Sequence, residues 1–161
     1  MAGAGNRTGA AMLNLRNLDE TFAASGQIGA VDVAEAISKG YTTIINNRPD
    51  SEIPADQPTS AENRKAAEAA GGTYYYLPMT PDTLSRNLIE AFAKALDNAP
   101  GPVLAHCGTG MRSTALWVLV QCVHKDRDID EALNLAAERG YDLSALRPVI
   151  EKQRAAHAAG D

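Results

Sequence analysis

The chain has 161 residues, of which 45% are hydrophobic and 22% charged, and its formal charge at neutral pH is −5. That length can bury a substantial core in a single domain. The acidic balance excludes a nonspecific binder of nucleic acid or of an anionic membrane. Two cysteines exclude a disulfide framework. No apolar run is long enough for a signal peptide or a membrane span, so a reducing cytoplasm is the expected compartment.

The first eleven residues are small and polar and are expected to be a loose tail, as are residues 156–161. One domain is expected between them, over residues 12–155. "ETFAASGQI" reads as a strand running into a turn at Gly26. "AVDVAEAISKG" reads as a short helix stopped by Gly40. The β-branched "YTTIINNR" is a buried strand ended by Pro49, followed by a loop rich in proline and acid. "SAENRKAAEAAGG" is a helix with a cap-like spacing from Ser60 to Asn63 and a stop at Gly71.

"TYYYLPM" is the next strand. In "TPDTLSRNLIEAFAKALDNAP", Leu84, Leu88, Phe92 and Leu96 recur every four residues on one helical face. "GPVLAH" is a further buried strand, and "RSTALWVLVQCVHK" is an apolar, buried helix. "DIDEALNLAAERG" and "LSALRPVIEKQRAA" close the chain as helices. Strands alternating with helices predict an α/β fold whose central, mostly parallel sheet is flanked by helices. The C-terminal ends of parallel strands share one edge, where ligands bind in such folds. Three loops should meet there: Asn46 to Glu52, Pro78 to Asp82, and His106 to Arg112.

The last of these, "HCGTGMRS", carries the chemistry. A strand end that turns directly into a helix aims backbone N–H groups at an anion. Gly108 and Gly110 free the backbone to approach it. Thr109 and Met111 complete the ring of amides. The helix dipole and Arg112 should depress the Cys107 thiol and supply a thiolate nucleophile. Arg112 can clamp two oxygens of an oxyanion, and the Ser113 hydroxyl can donate to the sulfur. A lone cysteine at a strand end usually packs as a small hydrophobe; it is the combination with two glycines, arginine and serine that points to a site.

Other candidates read less sharply. Asp82 could act as a general acid or serve only as a turn residue after Pro81. Arg48 could widen the positive field for a substrate, or simply pair with Asp50 to fix the loop across Pro49. His106 is expected to hold the loop backbone by a hydrogen bond, its side chain facing away from Cys107. Cys122 reads as core. His124 and His157 are too scattered for a metal site, and the pattern calls for no metal and no cofactor.

"HCGTGMRS" resembles the active-site loop of cysteine phosphatases and rhodaneses. Together with "SGQIGAVDVAEAISKGYTTIINNRPDSE" and "YYYLPM", it makes residues 12 to 125 similar to the bacterial beta-lactamase-hydrolase-like phosphatase domain family. That resemblance implies a dual-specificity-phosphatase-like fold and an activity of either phosphoryl or sulfur transfer. The protein-tyrosine-phosphatase pattern has five residues between cysteine and arginine, whereas four lie between Cys107 and Arg112. A ring one residue shorter should suit a single persulfide sulfur better than a phosphoryl group.

The sequence therefore favours a cysteine-dependent sulfurtransferase of the rhodanese type, passing sulfur from thiosulfate or a persulfide through Cys107 to a thiol acceptor. The alternative is a cysteine phosphatase, with a phosphoester substrate, a phosphocysteine at Cys107 and Asp82 protonating the leaving group. A third reading is a non-catalytic anion-binding module.

Overall fold

The computed structural model describes residues 15–53 and 57–160. The expected N-terminal tail lies outside them. In chain order the elements are β1 (Arg16–Asn17), β2 (Phe22–Ser25), α1 (Ala30–Ser38), β3 (Thr43–Asn46), α2 (Ser60–Ala69), β4 (Thr73–Tyr76) and α3 (Arg86–Asn98). They continue as β5 (Val103–His106), α4 (Met111–Val123), α5 (Ile129–Glu138), a 3-10 turn (Ser144–Leu146) and α6 (Arg147–Ala158). Thus α6 extends into the segment expected to be a C-terminal tail.

The five strands form one sheet in the order β1-β2-β5-β3-β4. Four run parallel, with Phe22 opposite Val103, Ile44 opposite Leu104 and Ile45 opposite Tyr75. Only β1 is antiparallel, pairing Arg16 with Ala24 at the edge. Strand alternation divides the core in two. Ala23, Ile44, Leu104 and Tyr74 face α1 and α2, where they meet Val33, Ala36 and Ala67. Phe22, Ala24, Ile45, Val103 and Ala105 face the other way, onto a larger cluster with Phe92, Leu116, Leu119 and Ile150. The fold is therefore the expected α/β arrangement, a mostly parallel sheet between helical layers.

The larger cluster is keyed by aromatics. Phe22 stacks on Trp117 at 5.8 Å between ring centroids and meets Phe92 edge-on at 6.0 Å. All three are buried, and burial of a side chain of this size contributes about 1.5–3 kcal/mol each. Trp117 lies on α4, whose first turn follows the glycine loop, so this packing fixes the helix that presents the loop.

Helix starts follow local chemistry. The cap of α2 is Thr59, whose hydroxyl accepts from the Glu62 N–H while the Glu62 carboxylate accepts from the Thr59 N–H. The expected Ser60 to Asn63 cap is therefore displaced by one residue, because only the Thr59 to Glu62 pair can form a reciprocal box. Helix α3 starts after Ser85, which accepts from the Leu88 N–H. Leu84 precedes this cap, yet it still packs with Leu88 and Leu96 against the larger cluster.

Candidate active site

Strand β5 ends at His106, and α4 starts at Met111. The four residues between them make the turn. Gly110 adopts φ +97°, and a Cβ there would stand 2.2 Å from the Tyr141 hydroxyl. Both conformation and space require glycine at this position. The loop is also pinned from the neighbouring strand end: Gln27 N–H donates to the Gly108 carbonyl at 3.4 Å, and Cys107 N–H donates to Ser25 O at 3.3 Å. Gly26 lies so close that a Cβ on it would sit 2.9 Å from the Gly108 carbonyl oxygen.

The Cys107 sulfur is buried at the centre of this turn and accepts from the Gly110 N–H at 3.0 Å. Burial would push the thiol up, but the N–H groups of Ser113, Thr109, Gly110 and Arg112 together outweigh it and hold it below its ordinary value. Depression of the thiol is thus as expected, though its cause is chiefly the ring of amides. The Ser113 hydroxyl departs from expectation. It donates to Asn47 Oδ1 at 2.8 Å, not to the sulfur, and it is the Ser113 backbone that supports the thiolate. Asn47, in turn, donates from its amide to Leu77 O, so this buried pair joins α4 to two strand ends.

The three expected loops do converge. Arg112 Nη1 donates to the Met79 carbonyl at 3.0 Å, tying the loop that carries Asp82 to the glycine turn. Arg112 also forms a two-point ion pair with Glu52, at 2.5 Å and 2.9 Å. Glu52 accepts from Arg48 Nε at 3.0 Å as well, so one carboxylate bridges both guanidinium groups. A Cβ built on Gly108 would be 3.5 Å from Arg112 Nη2 and 3.7 Å from Arg48 Cζ, which places both cations beside the loop. Glu52 is held below the usual carboxylate range, first by Arg112 and then, against burial, by Arg48.

Other expected roles change. Arg48 does not pair with Asp50; it binds Glu52 and the Gln27 side-chain oxygen. Asp50 turns the other way and accepts from the Ser60 N–H and hydroxyl at 2.8 and 2.7 Å, while its own N–H donates to the Tyr76 hydroxyl. It supports the start of α2 instead. His106 is buried with no hydrogen-bond partner on either ring nitrogen, so it does not hold the loop through its side chain as expected. Its burial pushes the imidazole down to about 4, with only partial opposition from the Cys107 backbone. Asp82 is exposed in a turn closed by hydrogen bonds between Thr80 and Thr83.

Cys122 is buried among apolar side chains, as read, and burial raises its thiol. His124 and His157 are not scattered: their ring centroids are 4.5 Å apart. Among the described residues, no group of three or more His, Cys, Asp or Glu side chains could hold a metal. Gln27 and Tyr141 escaped the sequence reading, while Glu52 and Asn47 were placed on a converging loop without a role. For Glu52 a signal existed in its spacing of four from Arg48. For Tyr141 there was none, because it reaches the loop from the far end of α5.

A buried, amide-cradled cysteine thiol with a guanidinium beside it, on this sheet, defines a cysteine-phosphatase-like fold and loop. Residues 14–124 match the family of the beta-lactamase hydrolase-like protein, phosphatase-like domain, and the chain belongs to that family. It is 33% identical over 139 residues to a beta-lactamase hydrolase-like protein of Agrobacterium fabrum, covering 86% of this chain but 32% of that protein. The chain thus spans about a third of the length of the curated relatives it matches. Among solved structures, a phosphatase candidate from Neisseria meningitidis is 31% identical with a TM-score of 0.73, over 86% of this chain and 96% of that one. The P. aeruginosa protein TpbA, solved with phosphotyrosine, shares the fold at 21% identity and a TM-score of 0.58, with 91% of each chain covered. No helix among the described residues is long and apolar enough to cross a membrane.

Proposed function

We propose that this chain is a cysteine phosphatase acting on phosphomonoesters. The observation that carries the reading is the buried Cys107 sulfur at the mouth of the strand-to-helix turn, accepting from the Gly110 N–H at 3.0 Å, with the loop amides lowering its thiol and so favouring the nucleophilic thiolate beside donors that an incoming phosphoryl group needs. Membership of a phosphatase-like family and the phosphotyrosine bound to TpbA support phosphoryl over sulfur transfer. Cys107 Sγ attacks phosphorus, the S–P bond forms and the P–O bond to the leaving group breaks. Asp82, on the loop that Arg112 anchors at Met79, delivers a proton to the departing oxygen. Water then attacks the phosphocysteine, passing a proton to the Asp82 carboxylate as the S–P bond breaks, which releases phosphate and restores the thiolate and the acid. The N–H groups of Gly108 to Arg112 hold the phosphoryl oxygens, and Arg112 and Arg48 balance their charge. A reducing compartment suits the two free thiols of Cys107 and Cys122.

The ring of four residues between Cys107 and Arg112 gives sulfur transfer its one specific argument. An assay of wild type and Cys107→Ser with a generic aryl phosphate in one arm, and thiosulfate with cyanide in the other, decides between them. Phosphate release that is lost in Cys107→Ser supports the proposal. Thiocyanate formation without phosphate release would assign the site to sulfur transfer. Silence in both arms would leave an anion-binding module.

A further inference from the structure

Resting on the phosphatase reading, we infer that the substrate carries a second negative charge a few bonds from the scissile ester, read by Arg16. A pocket of about 520 Å³ opens beside the nucleophile loop, lined by Arg16, Gln27, Gly108, Thr109, Met111 and Tyr141 with two further glycines. Gly108, Thr109 and Met111 belong to the loop itself. A substituent on the leaving group of a phosphoryl ester held in the loop can therefore reach this wall.

The pocket's floor is held by its own contacts. The Tyr141 hydroxyl donates to Thr109 O at 3.3 Å, and Gly26 packs on the Gly108 carbonyl. Gln27 is committed on both ends, donating to Ile28 O and accepting from Arg48. Arg16 is different. One nitrogen, Nη1, donates to the Arg139 carbonyl at 2.7 Å, and the guanidinium carbon lies 6.0 Å from the Tyr141 ring centroid. These contacts orient the group over the pocket without neutralising it, and no carboxylate pairs with it among the described residues. Arg48 and Arg112, by contrast, share Glu52. Arg16 thus brings an uncompensated positive charge to a pocket that otherwise offers an aromatic wall and the half-exposed Met111 side chain. A substrate of one charge centre leaves that guanidinium unused, whereas a leaving group bearing a carboxylate or another oxyanion meets it.

The test compares phenyl phosphate with 3-carboxyphenyl phosphate, in which the meta carboxylate perturbs the leaving phenol little. Wild type is expected to favour the carboxylated ester in kcat/KM by about fivefold, the upper range for a solvent-exposed ion pair. Arg16→Gln should abolish the preference while turning over phenyl phosphate within about twofold of wild type. Arg16→Lys should keep part of the preference, which separates lost charge from a disturbed β1 edge. Equal kcat/KM for both esters in wild type, or an equal fall for both in Arg16→Gln, would overturn the inference. Should neither ester turn over, the phosphatase reading fails on its own. The subsite is then decided by calorimetry on Cys107→Ser: tighter binding of the carboxylated ester supports it and equal affinity overturns it.

Discussion

Glu52 and Arg112 form a two-point ion pair, Oε2 to Nη1 at 2.5 Å and Oε1 to Nη2 at 2.9 Å, across sixty residues of sequence. The same carboxylate holds Arg48. Glu52 therefore fixes the direction of the guanidinium groups and cancels half of their combined charge. Glu52→Gln removes the orientation and leaves the charge. Phosphate release by this variant is expected to fall about tenfold in kcat, with KM unchanged or lower, measured by steady-state kinetics.

The same pair gives a pH signature. Glu52 is depressed in the fold, so its contribution to stability is complete above the unfolded carboxylate value near 4.5 and is lost as pH falls through the lower folded value. Denaturant titrations of wild type should show this loss below pH about 4.5. Glu52→Gln should lack it.

His106 contributes a separate slope in a different window. Its folded value of about 4 lies below the ordinary 6.5, so the unfolded chain binds the extra proton between these limits. Stability must then decrease as pH falls from 6.5 to about 4, by up to about 3 kcal/mol across the window. A His106→Gln protein should have a flatter profile there. An unchanged slope would show that the imidazole is protonated without cost.

For Cys107 the ordinary value is 9.0 and the amide ring lowers it. The ultraviolet thiolate absorbance of wild type minus Cys107→Ser should therefore rise with a midpoint below 9. Cys122, raised by burial, should ionise above it. The kcat/KM for an aryl phosphate should follow the Cys107 midpoint on its acid limb.

Ser113 and Asn47 are both buried, and the serine hydroxyl is the partner of Asn47 Oδ1. Ser113→Ala leaves that oxygen buried and unpaired, at a cost of about 1–3 kcal/mol. Urea denaturation should show this loss, and a change within a few tenths of a kcal/mol would mean that the amide reorients at little cost.

The parts of this site legible in the sequence are those encoded by adjacent residues. Cys107 to Arg112 reads as a loop because an apolar strand meets two glycines and then an apolar helix, and the sheet direction brings the Arg48 and Met79 segments to it. Partner choice was not legible. Asp50 stands nearer to Arg48 in sequence than Glu52 does, yet Ser60 offers it both a backbone and a hydroxyl donor. Ser113 lies within reach of the sulfur by sequence, but Asn47, which decides where its hydroxyl turns, comes from another strand end. Arg16 was invisible for a simpler reason: β1 is two residues long and carries no periodic pattern.

The single tryptophan of the chain, Trp117, is buried against Phe22 in the second turn of the helix that leaves the loop. Arg127 lies over its ring at 5.4 Å. The protein therefore carries its own optical probe, its one tryptophan rooted in the helix that follows the proposed anion-binding loop. If an anion in the loop shifts α4, stopped-flow emission without a label will report its arrival, and a ligand that leaves α4 in place will be silent.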